Sequence, residues 1–237
     1  MPDTTDRRYE WFVPTIGPLR FRMIIGMLFL PYTGMVLAFT VIGAALADSV
    51  NIQRVGALAL IYFLALGVAA HALDALGSRN TKPWGAHFSA AQLWTLVMVT
   101  LLPAGAIGVY YAFHDISLLW LIGLLEFFFL FAYNLEWFNG RFHTDGWFFF
   151  SWGVLPVLAG YVMQTNRLSV ASLLAALATG LFSLVQITAS RPYKNLKRTS
   201  NLDTTGQHTL LNYERILKSI SAGIILLALG LLVWRLS

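Results

Sequence analysis

The sequence predicts an all-α polytopic membrane bundle: one domain, 1–237, with about seven transmembrane helices. Three observations carry this. Apolar segments of bilayer-spanning length recur along the whole chain. Hydrophobic residues make up 57% of it and charged residues 11%, which leaves too little polar sequence for a separate soluble domain; a mean hydropathy of +0.66 agrees. No ten-residue alternation of a β-barrel is present, so within hydrocarbon only helices can satisfy the backbone internally.

Taken in order, residues 1–22 hold charges, Pro14 and Pro18 but no apolar core of signal-peptide length, so they are expected to be retained as a cytoplasmic or interfacial segment. Tyr9 to Val13 read as lying at headgroup level. The spans then run over about 23–47, 55–73, 88–112, 117–135, 147–164, 168–189 and 216–234. Short connections at 48–54, 114–117 and 165–167 alternate with longer polar ones at 74–87, 134–146 and 190–215.

The basic residues sort with the longer connections. Arg7, Arg8, Arg20, Arg22, Arg79, Lys82, Arg141, Arg191, Lys194, Lys197, Arg198 and Arg215 fall there or in the N-terminal segment, with Lys218 at the same end, in the first turn of the last span; Arg54, Arg167 and Arg235 complete the sixteen. The positive-inside rule then predicts a multi-pass cell-membrane protein with its N-terminus in, its C-terminus out, and a polar mouth on the cytoplasmic face. The pI of 9.6 does not imply nucleic acid, because these residues border apolar spans instead of forming a soluble basic face. Anionic headgroups or a phosphorylated substrate are the partners that fit. With no cysteine, disulfides, thiolate nucleophiles and zinc–thiolate sites are excluded.

Candidate chemistry gathers in the three long connections. In the first, His71, Asp74 and Ser78 share a helix face, followed by Arg79 and Lys82, a set suited to a phosphate with or without a divalent ion. The second holds Tyr133, Asn134, Glu136, Arg141, His143 and Asp145, of which the acids and His143 are candidate ligands beside His71 and Asp74 for a hard or borderline metal. The third supplies Arg191, Lys194, Lys197 and Arg198, then Asp203, and Gly206 marks a loop ending just before a helix. Such a cationic run either grips a diphosphate or anchors to anionic lipid. Within the spans, Thr179, Ser183, Gln186 and Ser190 form a stripe that faces protein or a cavity, or glues helices. Glu126, near mid-bilayer, faces a cavity or holds a structural hydrogen bond.

The order of these loops resembles the UbiA-type intramembrane prenyltransferase superfamily. That family carries Asn-Asp-x-x-Asp-x-x-x-Asp after its second helix and Asp-x-x-x-Asp after its sixth, the latter followed by a Gly-Lys-x-Thr-Leu-like stretch. Here Ala70-His71-x-x-Asp74-x-x-x-Ser78 stands in the first place and Gly206-Gln207-His208-Thr209-Leu210 in the second, while Gly153 to Gln164 resembles the fifth helix. The likeness runs from about Pro18 to Leu232. It departs from the family in keeping only Asp74 and Asp203 as acids and in having room for seven helices instead of nine.

The resemblance implies transfer or rearrangement of a prenyl group from a polyprenyl diphosphate. Asp74 and Asp203 would hold Mg²⁺ as the catalytic acids, and His71, Ser78, Arg79, Lys82, Tyr133, Asn134, Arg141, Gln186, Arg191, Lys194 and Arg198 would contact substrate. It also implies that Tyr133, Trp137, Trp147 and Phe150 face a carbocation, unless the tryptophans belong to the interfacial belt. Two other readings stand beside it: a non-catalytic isoprenoid- or lipid-binding protein of the same fold, and a transporter or channel using Glu126.

Overall fold

The computed structural model describes residues 10–77, 88–199 and 201–237. These form eight principal helices with no strand among them: α1 Leu19–Met27, α2 Leu30–Ala45, α3 Ile52–Gly77, α4 Ala90–His114, α5 Leu119–Asn134, α6 Asp145–Thr165, α7 Val170–Arg198 and α8 Thr204–Leu236. With α1 and α2 taken together, six helices are long and apolar enough to cross a membrane. At 16 residues, or about 24 Å, α5 falls short of that length although its sequence is as apolar as any span.

Helix starts follow from capping chemistry. Asn51 accepts from the N–H groups of Gln53 and Arg54, while Ser89 with Gln92 and Ser169 with Ser172 form capping boxes. Polar cross-links then gather the short connections at one end of the bundle. Arg54 pairs with Asp115 at 3.1 Å, the Asn51 N–H donates to Gln164 Oε1 at 2.8 Å, and the Leu118 N–H donates to Asn166 Oδ1 at 3.0 Å. Arg235 donates to the carbonyls of Ala47 and Asp48. The three arginines outside the long connections therefore fasten this short-loop end; the other end is the mouth.

The centre of the bundle is α6, of whose most apolar stretch 72% is buried, against 22% for α4 and α8. It packs on α2 through glycine: a Cβ at Gly43 would stand 2.0 Å from the Val157 carbonyl oxygen, and one at Gly160 2.0 Å from that of Thr40. Its contact with α7 is as close, since a Cβ at Gly153 would meet Gly180 Cα at 2.5 Å. With no hydrophobic drive between helices in lipid, such backbone approach is what holds them together.

The boundaries differ from the sequence expectation in three places. The first span is broken at Leu28 and Phe29: Phe29 is left-handed (φ 48°), and Pro31 in the first turn of α2 prevents a continuous ladder. The third long connection shrinks to Thr199–Asp203, because α7 runs through Pro192 to Arg198 and α8 begins at Thr204. Gly206 thus lies inside the first turn of α8, after its cap. Lys197 and Arg198 in the last turn of α7 favour this extension by meeting the negative end of the helix dipole. Finally, α3 and α6 each carry a π-helical stretch, Phe63–Ala69 and Phe149–Val154, that hydropathy does not reveal.

Candidate functional site

At the mouth, the ends of α3, α5, α6 and α7 bring polar side chains onto an aromatic wall. The π turn of α3 leads directly into Ala70–Gly77, which carries His71 and Asp74; such turns shift helix register and recur at functional sites. The buried His71 ring stacks on Phe29 at 4.9 Å and lies 5.9 Å from Trp152, in the π turn of α6. From Trp152 the wall continues through Phe148 (5.4 Å) to Tyr133 (5.8 Å) and His143 (4.4 Å).

The charges sit against this wall. Arg191 on α7 forms an ion pair with Asp145 at 2.6 Å and lies within hydrogen-bonding reach of the Tyr133 hydroxyl, which Asp74 and Asp145 also face electrostatically. One turn further, Lys194 places its ammonium 5.2 Å from the centre of the Phe29 ring. His143 Nδ1 meets the Tyr133 carbonyl at 3.0 Å. The guanidinium of Arg191 is thereby oriented by Asp145 while its side chain stays 48% exposed, so it can still receive an anion.

Of the residues singled out in the sequence, the mouth unites His71, Asp74, Tyr133, Asn134, Arg191 and Lys194. Asn134 has a structural duty there: its amide donates to the Leu130 carbonyl at 2.7 Å. Its own backbone carbonyl lies so close to Gly77 that a Cβ on that glycine would come within 2.2 Å. Ser78, Arg79 and Lys82 lie outside the described residues. Arg141 is exposed beyond α5, and Arg198 is half-buried in the last turn of α7. Asp203 is exposed and accepts the Gly206 N–H at 2.7 Å as the N-cap of α8. Among the described residues no three acids or histidines gather as a metal site. Those residues offer Mg²⁺ no assembled donor set.

The stripe on α7 faces protein. Thr179 donates to the Gly153 carbonyl at 2.9 Å and Ser183 to that of Trp152 at 3.4 Å, so both hydroxyls serve carbonyls of the α6 π stretch. Gln186 is buried on the same face. Glu126 has a partner that sequence reasoning did not name, since the Tyr62 hydroxyl donates to its Oε1 at 2.6 Å. Trp11 and Phe12 are packed onto the mouth, where the Trp11 N–H donates to the Tyr193 hydroxyl at 3.1 Å and Phe12 lies 4.4 Å from Phe29. Sequence reasoning also missed the Asp145–Arg191 pair and the role of Phe29. An acid closing one long connection and a cation opening the next was the available signal for the former. No protein-family model, curated protein or solved structure matches this chain.

Proposed function

We propose that this chain is a seven-span membrane protein with its N-terminus cytoplasmic and its C-terminus outside, whose cytoplasmic mouth takes a prenyl diphosphate and transfers or rearranges the prenyl group. The observation that carries this is the Arg191 guanidinium, paired with Asp145 and with Lys194 one turn away, beside an aromatic wall that leads into an apolar bundle. An amphiphile with an anionic head and a hydrocarbon tail complements that arrangement. Departure of a diphosphate requires its growing charge to be stabilised, and a pre-oriented guanidinium with a neighbouring ammonium supplies that. The wall of Phe29, Trp152, Phe148 and Tyr133 is the aromatic surface beside which an allylic cation would form. Asp74, which faces Tyr133 electrostatically, would orient the acceptor; Asp203, spent on the α8 cap, is left out.

A second reading, capture of an isoprenoid lipid without chemistry, is favoured by the absence of an acid cluster among the described residues. One experiment separates the two. Geranylgeranyl diphosphate is titrated into the detergent-solubilised protein with Mg²⁺ and then with EDTA, and pyrophosphate release is followed in parallel with a membrane lipid extract present as the source of acceptor. Arg191→Ala is expected to weaken binding by about 10- to 100-fold, the worth of a charged hydrogen-bonding pair. Asp74→Ala is expected to bind but not release pyrophosphate. Binding with no pyrophosphate under any condition selects the second reading, and no binding ends both.

A further inference from the structure

A second site lies away from the mouth. Helices α3, α4 and α5, with Ala159 of α6, line a half-open cavity of about 290 Å³, almost wholly apolar, and none of the mouth residues lines it. It is at the small end of the range for ligand pockets. Its polar feature is the pair formed by Tyr62 and Glu126. One carboxyl oxygen takes the Tyr62 hydroxyl, and no other described residue bonds to this side chain. The second carboxyl oxygen and the lone pairs of the Tyr62 oxygen are left as acceptors facing an apolar space.

The lining has been kept open as well. A Cβ at Gly105 or Gly123 would meet nothing within 4 Å, whereas those at Gly43 and Gly160 would strike backbone. Glycine weakens a helix, and at these two positions close packing gives no reason for it. Acyl chains of the bilayer bring no donor to the carboxyl, so they would fill the space and leave its polar floor unmatched.

We infer that this cavity binds a neutral lipid-soluble alcohol: an apolar body of isoprenoid or aromatic size with one hydroxyl that donates to the Tyr62–Glu126 pair. The hydroxyl suits the floor because it donates where acceptors are left over, and because it can also accept when the carboxyl carries its proton. The inference is independent of the prenyl-diphosphate reading.

The test is equilibrium binding of radiolabelled farnesol to the protein in nanodiscs, competed with farnesyl methyl ether, which has the same body and no donor. Farnesol should bind saturably, with the ether about tenfold weaker, the usual worth of one hydrogen bond. Gly123→Leu should remove binding by filling the cavity, and Gly105→Leu gives the same test should that variant fail to fold. Glu126→Leu combined with Tyr62→Phe should make farnesol bind no better than the ether. Arg191→Ala should bind farnesol as the wild type does. Equal affinity for farnesol and ether, or full binding by both leucine variants, would mean that bilayer chains alone fill the space and would overturn the inference. So would loss of binding in Arg191→Ala, which would place farnesol at the mouth, or a cross-linked dimer that Gly123→Leu dissolves, which would make the occupant a second copy of this chain.

Discussion

Phe29 concentrates more of the mouth's design than any other single residue. Its left-handed backbone costs about 1–3 kcal/mol for a residue with a Cβ, yet the turn aims its ring at His71, Tyr32, Phe12 and the Lys194 ammonium together. Two opposing terms follow. Truncation removes a buried ring, worth about 3–5 kcal/mol, while glycine at the same position releases the strain. Phe29→Gly is therefore expected to be less destabilised than Phe29→Ala by about 1 kcal/mol, read as a higher melting temperature in detergent. The opposite order would show that the ring alone matters. Residue types at the mouth were legible in the sequence, since His71, Asp74, Tyr133 and Arg191 stand out as polar groups at span ends. Their partners were not. Pairing Arg191 with Asp145 needs the packing of α7 beside the start of α6, and neither periodicity nor charge encodes which helices are neighbours.

At the scale of elements, glycine plays two roles that sequence does not distinguish. Gly43 and Gly160 let α2 and α6 touch backbone to backbone, whereas Gly105 faces open space. Gly160→Ala is expected to cost about 2–3 kcal/mol or more, because a Cβ 2.0 Å from a carbonyl oxygen must push two helices apart. Gly105→Ala is expected to be neutral or to stabilise by up to about 1 kcal/mol. Thermal unfolding of both variants in one detergent checks the pair of expectations, and equal losses would refute the distinction. Hydropathy gave the spans to within a few residues where helices end in lipid, as in α4 and α6. It failed where helices run on into water, because Arg191 to Arg198 reads as a loop by charge while its backbone stays helical. It was also blind to the π stretches, which arise from hydrogen-bond register and leave no trace in composition.

For the whole molecule, the alternation of long and short connections read from the sequence holds for the short ones and for 135–144, but not for the third long one, which the helices on either side reduce to 199–203. The short-loop end is knitted by Arg54, Arg167 and Arg235, each of which reaches an acid or a loop carbonyl there. The proposed orientation places that end outside the cell. A cysteine introduced at Ser237 should then react with a membrane-impermeant thiol reagent on intact cells, while one at Thr199 should react only after permeabilisation. The reverse pattern would turn the molecule over and put the mouth outside. The native chain has no cysteine, so each introduced thiol reports alone.

The π turns in α3 and α6 carry one further consequence, which concerns insertions and deletions. Each fits a surplus residue into a turn without ending its helix. Removing one residue from Phe63–Ala69 would let α3 close into an ordinary α-helix of nearly the same length, with His71 and Asp74 still turned to the mouth. The same deletion in the α-helical stretch Ile52–Tyr62 has no surplus to draw on, and would swing the residues on its two sides by about 100° relative to one another. A one-codon deletion should therefore be tolerated within the π stretch and disable the protein in the α stretch before it.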